Sequence, residues 1–222
     1  MMIPAAAQVE RSIRERHDTD VPLINWWLFI LLVNPVTLGI YGIVRFFKMT
    51  GRVDRFISRR RDYYAALMDF TEQYAKETGK YDPIHAGLGD LREEVRRDFQ
   101  EKVKELRAGR TLLLMIVTLG IWSLVWLYRM NKVWYAIQRF EQSYYDRLSA
   151  IWSKIDLLRY PVQFSVHDSS RRSYGLYLLL SVVTLGIWGL VWDCKLHNEP
   201  VALYREFHGA EDAVLQVVRS AA

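Results

Sequence analysis

The sequence predicts an all-α membrane protein in which three repeated hydrophobic segments alternate with amphipathic helices. The block Val-Thr-Leu-Gly-Ile-(Tyr/Trp) occurs at residues 36–41, 117–122 and 183–188. Each copy lies in an uncharged run, at residues 21–44, 111–128 and 173–192. Such runs straddle the ~20 residues with which a helix crosses ~30 Å of hydrocarbon. Between them the chain is densely charged, so a mean hydropathy of −0.05 hides how strongly the apolar residues are concentrated.

Residues 1–20 read as a polar lead-in, short and amphipathic or frayed, without the apolar core and small-residue cleavage site of a signal peptide. The first membrane unit covers residues 21–49. Its Asn34-Pro35 step predicts a bend near Asn34, because proline removes a backbone donor and disfavours helix in the residue before it. Residues 50–108 read as a helical hairpin connector. In its first half Phe56, Tyr63 and Phe70 recur every seven residues, with Leu67 and Tyr74 on a neighbouring row. Gly79 and Pro83 mark a stop. A second helix is expected from Asp90, at capping-box spacing to Glu93, carrying Leu91, Val95, Phe99, Val103 and Leu106 on one face to near Gly109.

The second membrane unit covers 109–130. An amphipathic helix over 131–160 follows, with the stripe Val133, Ile137, Phe140, Tyr144, Leu148, Ile151 and Ile155 at helical spacing. Pro161 opens a loop at 161–172. Residues 162–166 alternate and suit an extended strand, and Asp168 or Ser170 is placed to cap the next helix. The third membrane unit covers 173–196. In 197–222 the expectation is two amphipathic helices, one starting at Asn198-Glu199-Pro200 and a short last one beyond Gly209.

Two topologies fit the blocks. Straight crossings would put one of two basic connectors on the translocated side, since Lys and Arg number 16 over residues 45–110 and 8 over 129–172, against the positive-inside tendency. A re-entrant hairpin turning near Thr-Leu-Gly keeps every basic flank cytoplasmic. Half a block is about nine residues, or about 13 Å of helix. We favour the hairpin, with tight packing among units or subunits to cover the bend.

The repeats nominate the side chains that matter. Thr37, Gly39 and Gly42, Thr118, Gly120 and Ser123, and Thr184, Gly186 and Gly189 place small or back-bonding residues where helices bend or approach closely. Lys48, Arg129 and Lys195 share one aligned position and, with Trp126 and Trp192, suit a membrane interface. Arg45 replaces the repeated tryptophan, and Asp193 stands where the other copies have Phe46 and Leu127. The two form a candidate charge pair between units.

Catalytic chemistry is thinly represented. The five histidines are scattered, and no pair has the i, i+4 spacing of a helical metal site. Cys194 is the only cysteine, which excludes a disulfide framework. We assign no catalytic residue, no metal and no cofactor. The net charge of +5 lies beside the apolar blocks, which suits anionic lipid headgroups better than nucleic acid, and no nucleic-acid-binding motif accompanies it.

The stretches Thr118 to Arg129 and Thr184 to Lys195, and less closely Thr37 to Lys48, resemble the core of a prokaryotic membrane-domain family of unknown function that reads T-L-G-I-Y-x-x-x-W-x-Y-K. The resemblance covers roughly 15 residues per copy. It implies a small integral membrane domain in the inner membrane of a prokaryote and supplies no substrate or cofactor. The functional expectation is a non-enzymatic scaffold that self-associates and organises or curves the bilayer. Alternatives are a subunit of a pore or small-solute transporter, or an adaptor recruiting a soluble partner through residues 50–108.

Overall fold

The computed structural model describes residues 4–100, 103–158, 160–168 and 171–221, and these are helical without a strand. An N-terminal helix α1 (Pro4–Arg14) and a turn α2 (Arg16–Thr19) precede the first apolar block. That block rises as α3 (Trp26–Leu28), a π-helical stretch Phe29–Val33 and α4 (Asn34–Val36), then reverses into α5 (Ile40–Glu77). A returning helix α6 (His85–Glu94) passes into a π-helical stretch, Val95–Gln100. The second block rises as α7 (Ala108–Val117) and reverses into α8 (Trp122–Lys154). The third rises as α9 (Tyr174–Val183) and reverses into α10 (Ile187–Ala221). One shape is therefore built three times: a short apolar arm, a Thr-Leu-Gly turn and a long helix.

The long helices form a parallel bundle. Aligned on the turn, α5 buries Met49, Val53, Phe56, Arg60, Tyr63, Leu67 and Phe70; α8 buries Met130, Trp134, Ile137, Glu141, Tyr144, Leu148 and Ile151. The matching positions of α10 are Leu196, Pro200, Leu203, Phe207, Ala210 and Val214. Steps of four and three alternate throughout, the spacing that keeps one seam facing two partner helices. Neighbouring layers interdigitate: the Phe56 ring lies 5.2 Å from that of Trp134, one layer nearer the tips, and 4.9 Å from that of Phe207, one layer farther away. Near the far end Trp152 Nε1 donates to Thr71 Oγ1 at 2.7 Å.

One layer is charged. Arg60 Nε lies 2.6 Å from Glu141 Oε1, and its Nη1 lies 2.6 Å from Glu211 Oε1. Arg59 reaches the same Glu211 oxygen at 2.6 Å and Asp20 at 2.8 Å. Tyr64 donates its hydroxyl to Glu141, and the third member of the Arg60 layer, Phe207, presents its ring 4.9 Å from the guanidinium. Burial works against the Arg60 charge, but Glu141, Tyr145, Glu211 and Tyr64 outweigh it and raise its pKa well above the ordinary value. Burial likewise pushes Tyr63, Tyr64 and Tyr144 far up, so these hydroxyls stay neutral.

Each groove of the bundle is covered. Helix α1 buries Ala5, Ala6, Val9 and Ile13, and its flanks tie to α10 through Glu10–Arg219 and Arg16–Asp212. Leu88, Leu91, Val95 and Phe99 fill the α5/α8 side. Between α8 and α10 the extended stretch after Pro161 inserts Phe164, 5.2 Å from Phe207 and 6.0 Å from Tyr145.

Several sequence expectations need correction. Of the two readings of the lead-in, the amphipathic one holds: it is a helix packed along one apolar face. The boundaries expected at residues 49, 130 and 196 fall inside single helices, because the heptad seam runs on from the apolar half into the charged half. Neither Asn198-Glu199-Pro200 nor Gly209 interrupts α10. Pro200 has no N–H to give the Leu196 carbonyl, yet its ring is buried in the seam and the helix runs on through it; Arg52 Nη2 donates to the next carbonyl, His197 O, at 3.0 Å. The helix expected at Asp90 starts at His85. Its apolar face is buried as far as Leu106, but residues 103–107 are irregular rather than helical. Residues 162–167 are irregular rather than a strand. Ser173, not Asp168, caps α9, accepting from Leu176 N at 3.4 Å; Ser170 lies outside the described residues. The first block reverses at Thr37–Gly39, three residues beyond Asn34.

Replacing Arg60 by leucine strands Glu141 beside a buried neighbour of like charge. We expect a loss of about 3–5 kcal/mol in chemical denaturation followed by circular dichroism. Arg92→Leu, which removes an exposed ion pair to Asp69 and Glu72, should cost below about 1 kcal/mol. Equal losses would refute the special role of the buried layer.

Candidate functional site at the hairpin tips

The repeated Thr-Leu-Gly step closes each arm with a bonded turn. In the first, Leu38 N donates to Pro35 O and Gly39 N to Asn34 O, the paired bonds of a Schellman motif. In the second the pairs are Leu119 to Ile116 and Gly120 to Met115, and in the third Leu185 to Val182 and Gly186 to Ser181. The threonine serves both helices. Thr118 Oγ1 donates back to Leu114 O at 2.7 Å and accepts from Trp122 N at 2.9 Å. Thr184 does the same with Leu180 and Trp188, and Thr37 with Val33 and Tyr41. Every amide from 37 to 42, 118 to 123 and 184 to 188 consequently has a partner within its own hairpin.

The turn imposes a cost on its leucine. Leu38, Leu119 and Leu185 take left-handed φ values of 50°, 49° and 49°, a region that costs an L-residue with a full side chain about 1–2 kcal/mol. A Schellman turn ordinarily gives this place to glycine. Here the glycine comes one residue later, at φ 84°, 90° and 92° for Gly39, Gly120 and Gly186. The three leucines are also 91 %, 94 % and 95 % exposed, so packing within the chain does not repay the strain. Val36, Ile40, Val117, Ile121, Val183 and Ile187 flank them and are mostly exposed.

Small residues let the two limbs of a hairpin close. A Cβ on Gly42 would stand 3.3 Å from Asn34 Oδ1, and one on Gly189 3.7 Å from Ser181 Oγ. Ser123 occupies the aligned position in the second hairpin. At Gly42 and Gly189 the close approach is to the residue's own arm, not to a neighbouring unit.

Below the tips the three units are joined by a ring of equivalent contacts. Trp126 Nε1 donates to Thr50 Oγ1, Trp192 Nε1 to Asn131 Oδ1, and Arg45 Nε to His197 Nδ1, all at 3.2 Å. Donors Arg45, Trp126 and Trp192 align with one another, as do acceptors Thr50, Asn131 and His197. Each unit gives to one neighbour and accepts from the other, which closes a pseudo-threefold collar. The tryptophans expected at a membrane interface instead turn inward: Trp192 is buried and Trp126 half-buried.

Arg45 and Asp193 meet as their substitutions suggested. Arg45 Nη2 lies 2.9 Å from the Asp193 carboxylate, which also accepts from Trp26 Nε1 at 2.8 Å. Because Arg45 donates to Nδ1 of His197, that imidazole carries its proton on Nε2 and donates to Ile24 O at 2.8 Å. Burial lowers the His197 pKa; the Ile24 carbonyl and Asp193 oppose the shift, and Arg45 and Arg52 add to it. Lys48 and Lys195 lie over the rings of Tyr41 and Tyr177 at 5.7 Å. Arg129 donates instead to the carbonyls of Lys104 and Glu105 at 3.2 and 2.9 Å.

The signals missed in the sequence are the acceptors Thr50, Asn131 and His197, and the strained leucines. The former repeat at one spacing but differ chemically. The latter stood inside the motif and read as ordinary apolar residues. Among the described residues no three His, Cys, Asp or Glu side chains gather as metal ligands would, and no helix is long and apolar enough to cross a membrane. No family model, curated protein or solved structure matches the chain.

A histidine whose pKa is depressed by folding contributes stability above its unfolded value, about 6.5, and loses it as pH falls toward the folded value. We expect wild-type unfolding free energy to fall more steeply below pH 6.5 than that of His197→Gln, by up to ~1.4 kcal/mol per pH unit. Parallel pH profiles would remove His197 from the collar's energetics.

Proposed function

We propose that the three hairpins insert side by side into one leaflet of a lipid bilayer, making the protein a non-enzymatic monotopic scaffold that organises or curves the membrane. The observation that carries this reading is the trio of strained, exposed leucines at the tips. Backbone strain without compensation inside the fold is retained where function needs the side chain, and an apolar side chain at a solvent-exposed apex gains when its surroundings are hydrocarbon.

Three features support the same reading. Lipid offers no hydrogen bonds, so a bend within it must satisfy its own amides, and these turns do. An arm of ten residues, as in α7 and α9, is about 15 Å long, half the hydrocarbon thickness of a bilayer. Lys48, Arg129 and Lys195 then sit at headgroup level, where their charges meet anionic lipid. The charged bundle lies wholly on one side, which we assign to the cytoplasm from the positive-inside tendency.

Three apolar limbs in one leaflet expand that leaflet alone, and this asymmetry is the proposed source of curvature. Bending a membrane takes many such wedges per unit area, so the proposal includes lateral association of copies. The self-association is not attributed to the glycine faces, since Gly42 and Gly189 face their own arms.

Asparagine tolerates the left-handed region better than leucine and is polar. The triple variant Leu38→Asn, Leu119→Asn, Leu185→Asn should keep its unfolding free energy within about 1 kcal/mol or gain slightly. Its flotation with phosphatidylcholine vesicles should weaken at least a hundred-fold, since each buried leucine is worth about 1.5–3 kcal/mol. Flotation equal to wild type, or a wild type that fails to float, would overturn the proposal.

A further inference from the structure

Beside the second hairpin the threefold pattern breaks, and a basic cavity of about 450 Å³ opens there. Among the described residues, five cations line it, Arg61, Lys104, Arg107, Arg110 and Arg129, against one carboxylate, that of Glu105. The positions aligned with Arg110 on the other two arms are Phe29 and Leu176, so a charge on the apolar arm is peculiar to this unit. Its wall toward the tip is apolar, formed by Leu114 and Trp122.

The loop that carries the cations is held from two sides. Asp54 of α5 accepts from the amides of Leu106 and Arg107 at 2.5 and 2.9 Å, fixing Arg107 in a left-handed conformation at φ 51°. Arg129 of α8 grips the carbonyls of residues 104 and 105. Glu105 is 3.6 Å from Arg61 and 3.8 Å from Arg107, both loose pairs. Arg61 Nε is buried without a partner, and no ion pair to Lys104 or Arg110 occurs among the described residues. Among the described residues the cavity lining therefore carries an excess of four positive charges on a braced frame.

Its height is informative. Arg110 stands eight residues before Thr118, about 12 Å of helix from the tip. If the tips reach the bilayer midplane, that is where hydrocarbon gives way to headgroups.

We propose that this cavity binds the phosphate of an anionic phospholipid, with Lys104, Arg107 and Arg110 around the phosphate and one acyl chain along Leu114 and Trp122. The inference rests on the insertion reading above and adds a defined lipid site to it. A cation excess alone would suit any phosphate. The apolar wall continuous with the hairpin selects a phosphate that carries a tail.

The test is calorimetric titration of the full chain in neutral maltoside micelles with dioctanoyl phosphatidylglycerol, dioctanoyl phosphatidylcholine and inorganic phosphate. We expect one saturable site for phosphatidylglycerol, at least ten-fold tighter than for the other two. Lys104→Glu with Arg110→Glu should abolish that preference. Arg139→Glu with Arg205→Glu, an equal charge change at exposed positions away from the cavity, should retain it. Equal affinity for the two lipids, or an undiminished preference in the cavity variant, overturns the site. Inorganic phosphate binding as tightly as phosphatidylglycerol overturns its assignment to lipid. Flotation on neutral vesicles separates the two readings. A wild type that floats without preferring phosphatidylglycerol loses only the site, whereas one that fails to float loses insertion itself.

Discussion

Arg60 carries a full charge at the centre of a helix bundle, away from water, and the molecule is arranged around the two carboxylates that answer it. A buried cation left alone is far too costly to keep, so α5, α8 and α10 can associate only where Glu141 and Glu211 reach it. A slip of one layer would bring Ile137 or Tyr144 opposite the guanidinium. The apolar layers above and below are more forgiving, since Met, Leu, Val and Phe exchange neighbours at modest cost. We therefore assign register to the charged layer and most of the stabilisation to the apolar ones. Once register is set, the collar donors face their acceptors, and the arms stand at matching heights.

The same layer explains why three units share one chain without being identical. In a symmetric trimer each layer repeats one residue three times, and three arginines or three glutamates at that position would repel. Here the layer is Arg60, Glu141 and Phe207: a cation, its counter-ion and an aromatic face. The collar repeats the logic, with Arg45 in place of a tryptophan and Asp193 in the neighbouring unit to receive it. Fusing the copies lets each position be specialised, which the cavity beside Arg110 also uses.

The sequence made the turns legible because their chemistry is local. Thr, Leu and Gly at fixed spacing have the same role three times, and the small residues next to them fit a close limb. The Arg45–Asp193 pair was legible as a matched departure from the repeat. The long helices were not, because local signals contradict tertiary ones. Pro200 reads as a start, but its ring is buried in the seam shared with α5 and α8, and that packing carries α10 through it. The third copy was recognised only as far as Lys195, since Ala210-Glu211 replace the paired tyrosines of the first two. Its heptad positions Leu196, Leu203, Phe207 and Val214 repeat the spacing of the others, and they would have revealed the shared seam. The interfacial placement expected of Trp126 and Trp192 rests on a general preference, which their specific hydrogen bonds to Thr50 and Asn131 override.

Three apices held at equal height by a common register define a plane. A body resting on one hairpin could lean in any direction, and on two it could still rock about the line between them. A tripod does neither, so on a membrane the bundle axis would be held along the surface normal. Its far end, where Glu77, Lys154 and Ala221 close the helices, would then stand at a constant elevation, about 27 residues or about 40 Å of helix above Lys48, Arg129 and Lys195. Whatever meets that end would be presented at a set distance and a set angle, which makes the fold as much a spacer as an anchor.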